Sequence, residues 1–271
     1  MAGPPSLRER IRERLSRGGG GGRVFPKKRL GQNFLTDESI LDREVELAGI
    51  KKGDTVLEIG PGFGFLTEKL ARASGRVVAI EKDSRAFSEC LEELKPLGVE
   101  AIFGDALKTD IPDFDVCVSN PPYNISSSLL FRLLERDSYR TIILSFQEEF
   151  ARRLIAKPGE RNFGRLGASV GFVAEIEFFN RIPRHSFYPA PKVDSRIIRI
   201  TRKKERLVAS LEDWKTLCDT TLNWLFQHPA KTVKNALKRR ITEKSAIRDE
   251  LLKKRVRTLT REEILEIHRT I

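Results

Sequence analysis

Thr55-Val56-Leu57-Glu58-Ile59-Gly60-Pro61-Gly62-Phe63-Gly64 is a short β-rich run that breaks into a glycine-rich turn, and Phe65–Ala73 follows it with helical spacing. A strand, a glycine turn and a helix start together form a nucleotide-binding loop. Glycine lets the backbone pass close to a ligand, and the helix N-terminus favours polar or anionic groups. Taken alone, Gly-x-Gly-x-Gly also fits an ordinary tight turn. Three downstream positions decide between the two. The next strand, Arg76–Ile80, ends in Glu81, about 20 residues after the loop, where a carboxylate can bind the hydroxyls of a ribose. A third strand, Glu100–Phe103, ends in Gly104-Asp105-Ala106, with Asp105 placed to accept from an adenine amino group. The mostly apolar run Phe114–Val118 leads into Ser119-Asn120-Pro121-Pro122-Tyr123-Asn124. The loop, Glu81, Asp105 and Asn120 thus fall at the C-terminal ends of consecutive strands, the edge at which parallel sheets bind ligands.

The tetrad Asn120-Pro121-Pro122-Tyr123 has a narrow chemistry. It suits an enzyme that makes a conjugated amino group attack a carbon electrophile. An exocyclic NH2 on adenine, cytosine or a glutamine amide is planar, its lone pair delocalised. Two acceptors for its hydrogens, the Asn120 side-chain oxygen and a backbone carbonyl, pull the nitrogen toward a tetrahedral, nucleophilic shape. The prolines fix the backbone so that the carbonyl after Asn120 is held in position. Tyr123 offers a face on which a flat base can stack. The tetrad alone does not choose between RNA, DNA and glutamine.

The Glu-Ile-Gly-Pro-Gly-Phe-Gly loop, the acidic strand end, Gly-Asp-Ala and Asn-Pro-Pro-Tyr resemble the successive motifs of class I S-adenosylmethionine-dependent methyltransferases. Leu30-Gly31-Gln32-Asn33-Phe34-Leu35 precedes this core. Phe187-Tyr188-Pro189-Ala190-Pro191-Lys192-Val193-Asp194-Ser195 follows it, and Lys231-Thr232-Val233-Lys234-Asn235-Ala236-Leu237 lies near the end. All three resemble the ribosomal RNA adenine dimethyltransferase family, and the match runs from about Val24 to the C-terminus. The resemblance implies dimethylation of two adjacent adenosines in a terminal hairpin loop of small-subunit rRNA, on a pre-ribosomal particle. It departs from the family at Pro121, where members usually carry Leu, and at Ser128, often Pro in members. The carbonyl of position 121 survives that change; the property it touches is the width of the pocket for a monomethylated adenine.

The resemblance assigns roles residue by residue. Gln32, Asn33 and Leu35 line the methyl-donor pocket, with Gln32 and Asn33 alternatively capping the helix that follows. Gly60 and Gly62 let the methionine end approach the loop. Glu81 binds the ribose diol and Asp105 the adenine amino group. Ala106 and Leu107 line the adenine face or belong to ordinary packing. Asn120 and the Pro121 carbonyl hold the target amine in line with the donor methyl. Tyr123 and Phe187 sandwich the flipped adenine, the Pro-x-Pro loop favouring an exposed Phe187. No strong general base is needed, because the amine becomes acidic only after attack. His185, His228 and His268 are scattered and form no triad.

Composition bounds the rest. The 271 residues, 39% hydrophobic, suffice for one substantial core and a smaller second one. No apolar stretch approaches the ~20 residues that a membrane span requires, and Met1–Arg17 carries no secretory signal. Cys90, Cys117 and Cys218 are isolated, which argues against disulfides and zinc and fits a reducing cytosol. The net charge of +12 is unevenly placed. Residues 1–30 carry nine Lys and Arg against two Asp and Glu, residues 31–200 carry 23 against 26, and residues 201–271 carry 18 against ten. Basic flanks around a nearly neutral core suit a phosphate backbone, with Lys231, Lys234, Lys238, Arg239 and Arg240 as the expected RNA contacts.

Along the chain, residues 1–23 read as a basic, glycine-rich tether ending in Gly18–Gly22. Residues 24–203 read as an α/β, Rossmann-like, donor-binding catalytic domain, and 204–271 as a small all-helical RNA-binding domain. Within them Asp37–Ala48 is an expected helix, Leu166–Phe179 and Val193–Thr201 expected strands, and Leu211–Phe226 and a stretch from Ala230 expected helices. The expected protein is a cytoplasmic monomer with no metal. Two other readings are weighed: an assembly factor whose methylation is dispensable, and an amino-methyltransferase of DNA or protein glutamine. The intact donor motifs speak against the first, and the basic C-terminal helices against a glutamine substrate.

Overall fold

The computed structural model describes residues 5–16, 31–241 and 246–271. Leu7 and Ile11, one helical turn apart, are buried to 4% and 0% exposure and fasten helix α1 (Leu7–Ser16) to the apolar cluster that holds Phe65 and Leu66. The Arg10 guanidinium lies 4.7 Å from the Phe65 ring centroid and 3.7 Å from the Glu68 carboxylate. The expectation of a tether is therefore overturned for this stretch: apolar residues four apart bury a face despite the surrounding arginines. The glycine run Gly18–Gly22 lies outside the described residues.

A two-residue strand β1 (Phe34–Leu35) precedes helix α2 (Glu38–Ala48). The α2 cap is Asp37, whose side chain accepts from the Ser39 N–H at 3.1 Å, so Gln32 and Asn33 are not the cap. The sheet then builds from β2 (Thr55–Ile59), α3 (Phe65–Ala73), β3 (Arg76–Glu81), α4 (Ser84–Leu94), β4 (Val99–Phe103), β5 (Val116–Ser119), α5 (Ser126–Leu134) and β6 (Thr141–Gln147). Strands β2 to β6 pair in parallel, with Val56 opposite both Val77 and Val116, Val77 opposite Val99, and Val118 opposite Ile143. Val56, Leu57, Val116, Cys117 and Val118 are fully buried. Such continuous burial belongs to a parallel sheet covered on both faces, which is why these strands read as apolar runs rather than alternations.

Helices α6 (Glu148–Ile155) and α7 (Arg165–Val170) come next, then strands β7 (Ala174–Ile182), β8 (Phe187–Tyr188) and β9 (Ser195–Arg202). The seven-stranded sheet has the order β4-β3-β2-β5-β6-β9-β7, and β8 pairs antiparallel with β1 apart from it. The first part of the expected strand Leu166–Phe179 is helix α7. Leu166, Ala168 and Val170 are all buried, and so short an apolar run has no period that separates strand from helix. Gly167 explains the packing: a Cβ there would sit 2.6 Å from the Arg153 carbonyl, so only glycine permits this backbone approach.

The chain falls into two compact units, residues 1–148 with 177–200, and residues 149–176 with 201–271. This division differs from a single boundary near Lys203, since 149–176 group with the C-terminal helices. The second unit continues with α8 (Leu211–Leu217), a π-helical turn Cys218–Leu222, α9 (Asn223–Phe226), α10 (Val233–Ala236), α11 (Asp249–Lys253) and α12 (Arg261–Thr270). The helix expected from Ala230 is a single turn. Its interior is tied by the fully buried Trp214, whose indole N–H donates to the Ser169 carbonyl at 2.8 Å, and by a capping box of Thr260 and Glu263. Among the described residues no helix is long and apolar enough to cross a membrane.

Candidate active site

The chain visits β2, β3 and β4 on one side and then crosses to β5, so the strand order reverses between β2 and β5. A crevice at such a reversal is where open parallel sheets bind ligands. Backbone pairing between β2 and β5 joins Val56 to Val116 and Leu57 to Cys117, and beyond it the Ile59 N–H donates instead to Ser119 Oγ at 2.7 Å. Gly60 and Asn120 follow on either side of this bond. Here lies a cleft of roughly 960 Å³ including its open mouth and the solvent in it.

The glycine loop forms one wall. Gly60, Gly62 and Gly64 have φ of 72°, 56° and 77°, a region open to glycine at little cost. Gly62 is also crowded, since a Cβ there would come within 3.0 Å of the Phe34 ring. The Gly62 N–H donates to Glu81 Oε2 at 3.1 Å, and the Asp83 N–H donates to Oε1 at 2.7 Å. Burial raises the Glu81 carboxyl above its ordinary range against these two bonds. Asp105 is shallower: Oδ1 accepts from the Leu107 N–H at 3.0 Å and Oδ2 from Lys82 Nζ at 2.7 Å. The Lys82 ammonium holds Asp105 below the usual carboxylate range.

Asn120 forms the opposite wall. Its Nδ2 donates to Glu44 Oε2 at 2.8 Å, while Oδ1 is buried without a hydrogen-bond partner. An amide oxygen so placed is expensive to leave unpaired, about 1–3 kcal/mol, and marks a place for a donor from a ligand. Tyr123 donates to or accepts from Ser195 Oγ at 2.6 Å, and burial pushes its phenol up to about 12, so it stays neutral.

The two flanking motifs close over the cleft together. Phe34 pairs with Tyr188 and Leu35 with Phe187 across β1 and β8, and the Thr36 N–H donates to the Ser186 carbonyl at 2.7 Å. Phe187 is consequently 3% exposed rather than held out on its Pro-rich loop, because strand pairing with β1 covers it.

Of the residues singled out beforehand, Gln32, Asn33, Gly60, Gly62, Glu81, Asp105, Ala106, Asn120, Pro121, Tyr123 and Phe187 all line this cleft. Leu35 lines a smaller adjoining cavity that shares Asn33, Gly60, Gly62 and Asn120. Leu107 contributes its backbone N–H to Asp105 and is not in the lining. Gln32 donates to Asp83 Oδ2 at 2.9 Å, and Asn33 Nδ2 donates to the Gly31 carbonyl at 3.0 Å. The five basic residues lie in the second unit and are exposed, with Val233 and Leu237 buried between them. The Arg240 guanidinium sits 4.6 Å from the Trp224 ring centroid. His268, half-buried against Thr221 Oγ1 at 2.8 Å, and the exposed His185 lie outside the cleft lining.

Sequence reasoning missed Phe34, Lys82 and Ser145 in the lining, and above all Glu44 behind Asn120. Glu44 stands in the register of Leu41, Leu47 and Ala48, the buried face of α2. A carboxylate on an apolar stripe is the signal that could have found it. Burial pushes Glu44 up to about 7, tempered by hydrogen bonds from Ser145 and Asn120. Burial likewise pushes Glu58 up to about 8, with repulsion from Glu44 and Glu81 adding to it. Glu58 Oε2 is buried without a partner and lies on the smaller cavity beside Asn120. Glu81 and Asp105 could hold the ribose and adenine of a nucleoside-bearing ligand in this cleft, and the unpaired Asn120 Oδ1 could accept from an amine.

The sequence model of the family described as ribosomal RNA adenine dimethylase matches residues 25–271. The chain belongs to this family. A probable ribosomal RNA small subunit methyltransferase A of Thermococcus gammatolerans is 42% identical over 251 residues, covering 89% of this chain and 88% of that protein. A dimethyladenosine transferase from Plasmodium falciparum superposes with a TM-score of 0.77 at 32% identity, covering 86% of this chain and 95% of the other. The 23S rRNA methyltransferase ErmE superposes with a TM-score of 0.68 at 27% identity, covering 88% and 99%. This ribosomal RNA adenine dimethylase is therefore an S-adenosylmethionine-dependent enzyme on a Rossmann-like fold, acting on adenine in rRNA. The match to this family over residues 25–271, rather than the donor motifs, sets aside the DNA and glutamine readings.

Proposed function

We propose that this dimethylase transfers methyl groups to the N6 amines of two adjacent adenosines in the 3′-terminal hairpin loop of small-subunit rRNA. The relative named for the small subunit supports that choice of RNA. The substrate is a pre-ribosomal particle, and the enzyme works as a cytoplasmic monomer. The observation that carries the reading is the buried, unpartnered Oδ1 of Asn120 on the cleft wall.

In this reading Asn120 Oδ1 and the Pro121 carbonyl accept the two hydrogens of the target amine and localise its lone pair on nitrogen. Bound S-adenosylmethionine supplies an electrophilic methyl group. Glu81 and Asp105 hold the donor's ribose and adenine, and Gln32, Asn33, Leu35, Gly60, Gly62 and Ala106 shape the rest of its pocket. Tyr123 and Phe187 hold the target ring, and stacking contributes ~1–3 kcal/mol per base. The amine sheds its proton to solvent after the new bond forms, so positioning carries the rate. Lys231, Lys234, Lys238, Arg239 and Arg240 hold the RNA backbone.

The test is transfer of labelled methyl groups to small subunits lacking the modification, followed by nucleoside separation. The expected product is N6,N6-dimethyladenosine at two adjacent positions. Monomethyladenosine alone would place the limit at Pro121, and labelling confined to large-subunit RNA would overturn the proposed substrate. Asn120→Ala is expected to lose transfer by ~100-fold or more while retaining donor affinity.

A further inference from the structure

We infer that Glu44 is a positioning residue that sets the orientation of the Asn120 amide and so presents Asn120 Oδ1 to the target amine. The inference rests on the role proposed for Asn120 and goes one residue behind it. Glu44 is fully buried on α2 and makes two hydrogen bonds, accepting from Asn120 Nδ2 at 2.8 Å and from Ser145 Oγ at 2.6 Å.

Hydrogen-bond complementarity orients the Asn120 amide. An asparagine amide has a donor end and an acceptor end of nearly equal size, so packing alone leaves two orientations close in energy. An ionised carboxylate only accepts. Facing it, Asn120 must offer Nδ2, because the flipped amide would set Oδ1 against Oε2 at 2.8 Å. The carboxylate form carries this constraint, since a protonated Glu44 can also donate its hydroxyl to a flipped Asn120 Oδ1 while its carbonyl oxygen accepts from Ser145 Oγ. The groups that bear on it from neighbouring elements are Glu58 on β2, Tyr123 after β5 and Ser145 on β6. None of them offers Asn120 a competing acceptor in the structure. The opposite end of the amide, Oδ1, is thereby left without a partner.

A purely structural role predicts something different. Were Glu44 present only to satisfy the buried Asn120 Nδ2 and Ser145 Oγ, its loss would lower stability and leave transfer by the folded enzyme unchanged.

The experiment compares Glu44→Leu, Glu44→Gln, Asn120→Ala and the Glu44→Leu/Asn120→Ala double variant. Each is measured for thermal unfolding, for S-adenosylhomocysteine affinity by calorimetry, and for single-turnover methyl transfer to unmodified small subunits. Glu44→Leu leaves Asn120 Nδ2 and Ser145 Oγ without their partner and is expected to unfold earlier than wild type; below that transition it is expected to bind the nucleoside within ~3-fold and transfer methyl ~30-fold more slowly or worse. Glu44→Gln restores partners for Asn120 and Ser145 but can also turn its NH2 to a flipped Asn120 Oδ1, so it is expected to transfer methyl faster than Glu44→Leu and more slowly than wild type. The double variant is expected to be no slower than Asn120→Ala, since both act through one amide. Normal transfer by Glu44→Leu with impaired Asn120→Ala would overturn the inference and leave the Asn120 role standing. Normal transfer by both would remove the Asn120 role and the inference with it. A loss in Glu44→Leu that tracks weakened nucleoside affinity, or no recovery in Glu44→Gln, also overturns it.

Discussion

The Gly62 backbone N–H donates to Glu81 Oε2 at 3.1 Å, joining the glycine loop to the end of the neighbouring strand. The residue proposed to bind the donor ribose thus also sets the height of the loop proposed to cradle the donor's methionine end. Glu81→Ala removes both effects. Donor affinity is expected to fall ~10–100-fold, the range of one or two charge-assisted hydrogen bonds. Calorimetry with S-adenosylhomocysteine checks it, and an unchanged affinity would refute the ribose role.

Glu44 and Glu58 give stability a distinctive pH dependence. Their folded values, about 7 and about 8, lie above the ordinary carboxylate value of 4.5. The unfolded chain therefore releases these protons first, and stability falls as pH rises from about 4.5 toward 8. Glu44→Gln is expected to match wild type near pH 4.5 and to exceed it near pH 8, by on the order of 3 kcal/mol at most. Urea unfolding at the two pH values measures the difference, and equal gaps at both would show that Glu44 does not titrate in the fold.

Electrostatic grip on RNA is expected to reside in the second unit. Replacing Lys231, Lys234, Lys238, Arg239 and Arg240 by glutamine should weaken RNA binding. The slope of log K against log salt should flatten by up to about 4 if each contacts a phosphate. Donor affinity, measured alongside, should stay at the wild-type value. An unaltered slope would move the RNA surface elsewhere.

Helix α1 is expected to behave as part of the core. Ile11→Ala should cost about 2–4 kcal/mol in urea unfolding, as for other buried large-to-small changes. The exposed Arg8, changed to Ala, should stay within about 0.5 kcal/mol of wild type. Equal, small effects for both would mean that α1 detaches before the rest unfolds.

Residues that follow strand ends were legible because chemistry and position coincide there. Gly60, Glu81, Asp105 and Asn120 each interrupt an apolar run with a residue type the strand does not need. Glu44 was not legible in that way, since a glutamate inside a helix ordinarily faces water and only its register with Leu41 and Leu47 says otherwise. Segment 166–173 misled through uniform burial, which erases the period that tells helix from strand. The arginines of 8–14 and the glycines that follow obscured the Leu7–Ile11 stripe, a local composition outweighing two apolar residues. Phe187 was placed in the right cleft but with the wrong exposure, because its cover comes from Leu35, some 150 residues earlier, and no local pattern reports a partner that distant.

The pairing of Phe34–Leu35 with Phe187–Tyr188 has a consequence for the order in which the protein becomes competent during synthesis. A ribosome making this chain exposes the glycine loop, Glu81, Asp105 and Asn120 long before residue 188 emerges. Until then β1 has no partner strand and Phe187 is absent from the cleft. The parallel core can assemble as the chain is extruded, yet the wall built by β1 and β8 is completed only once residue 188 has emerged. The nascent enzyme therefore carries its transfer motifs past its own translating ribosome in an unfinished cleft.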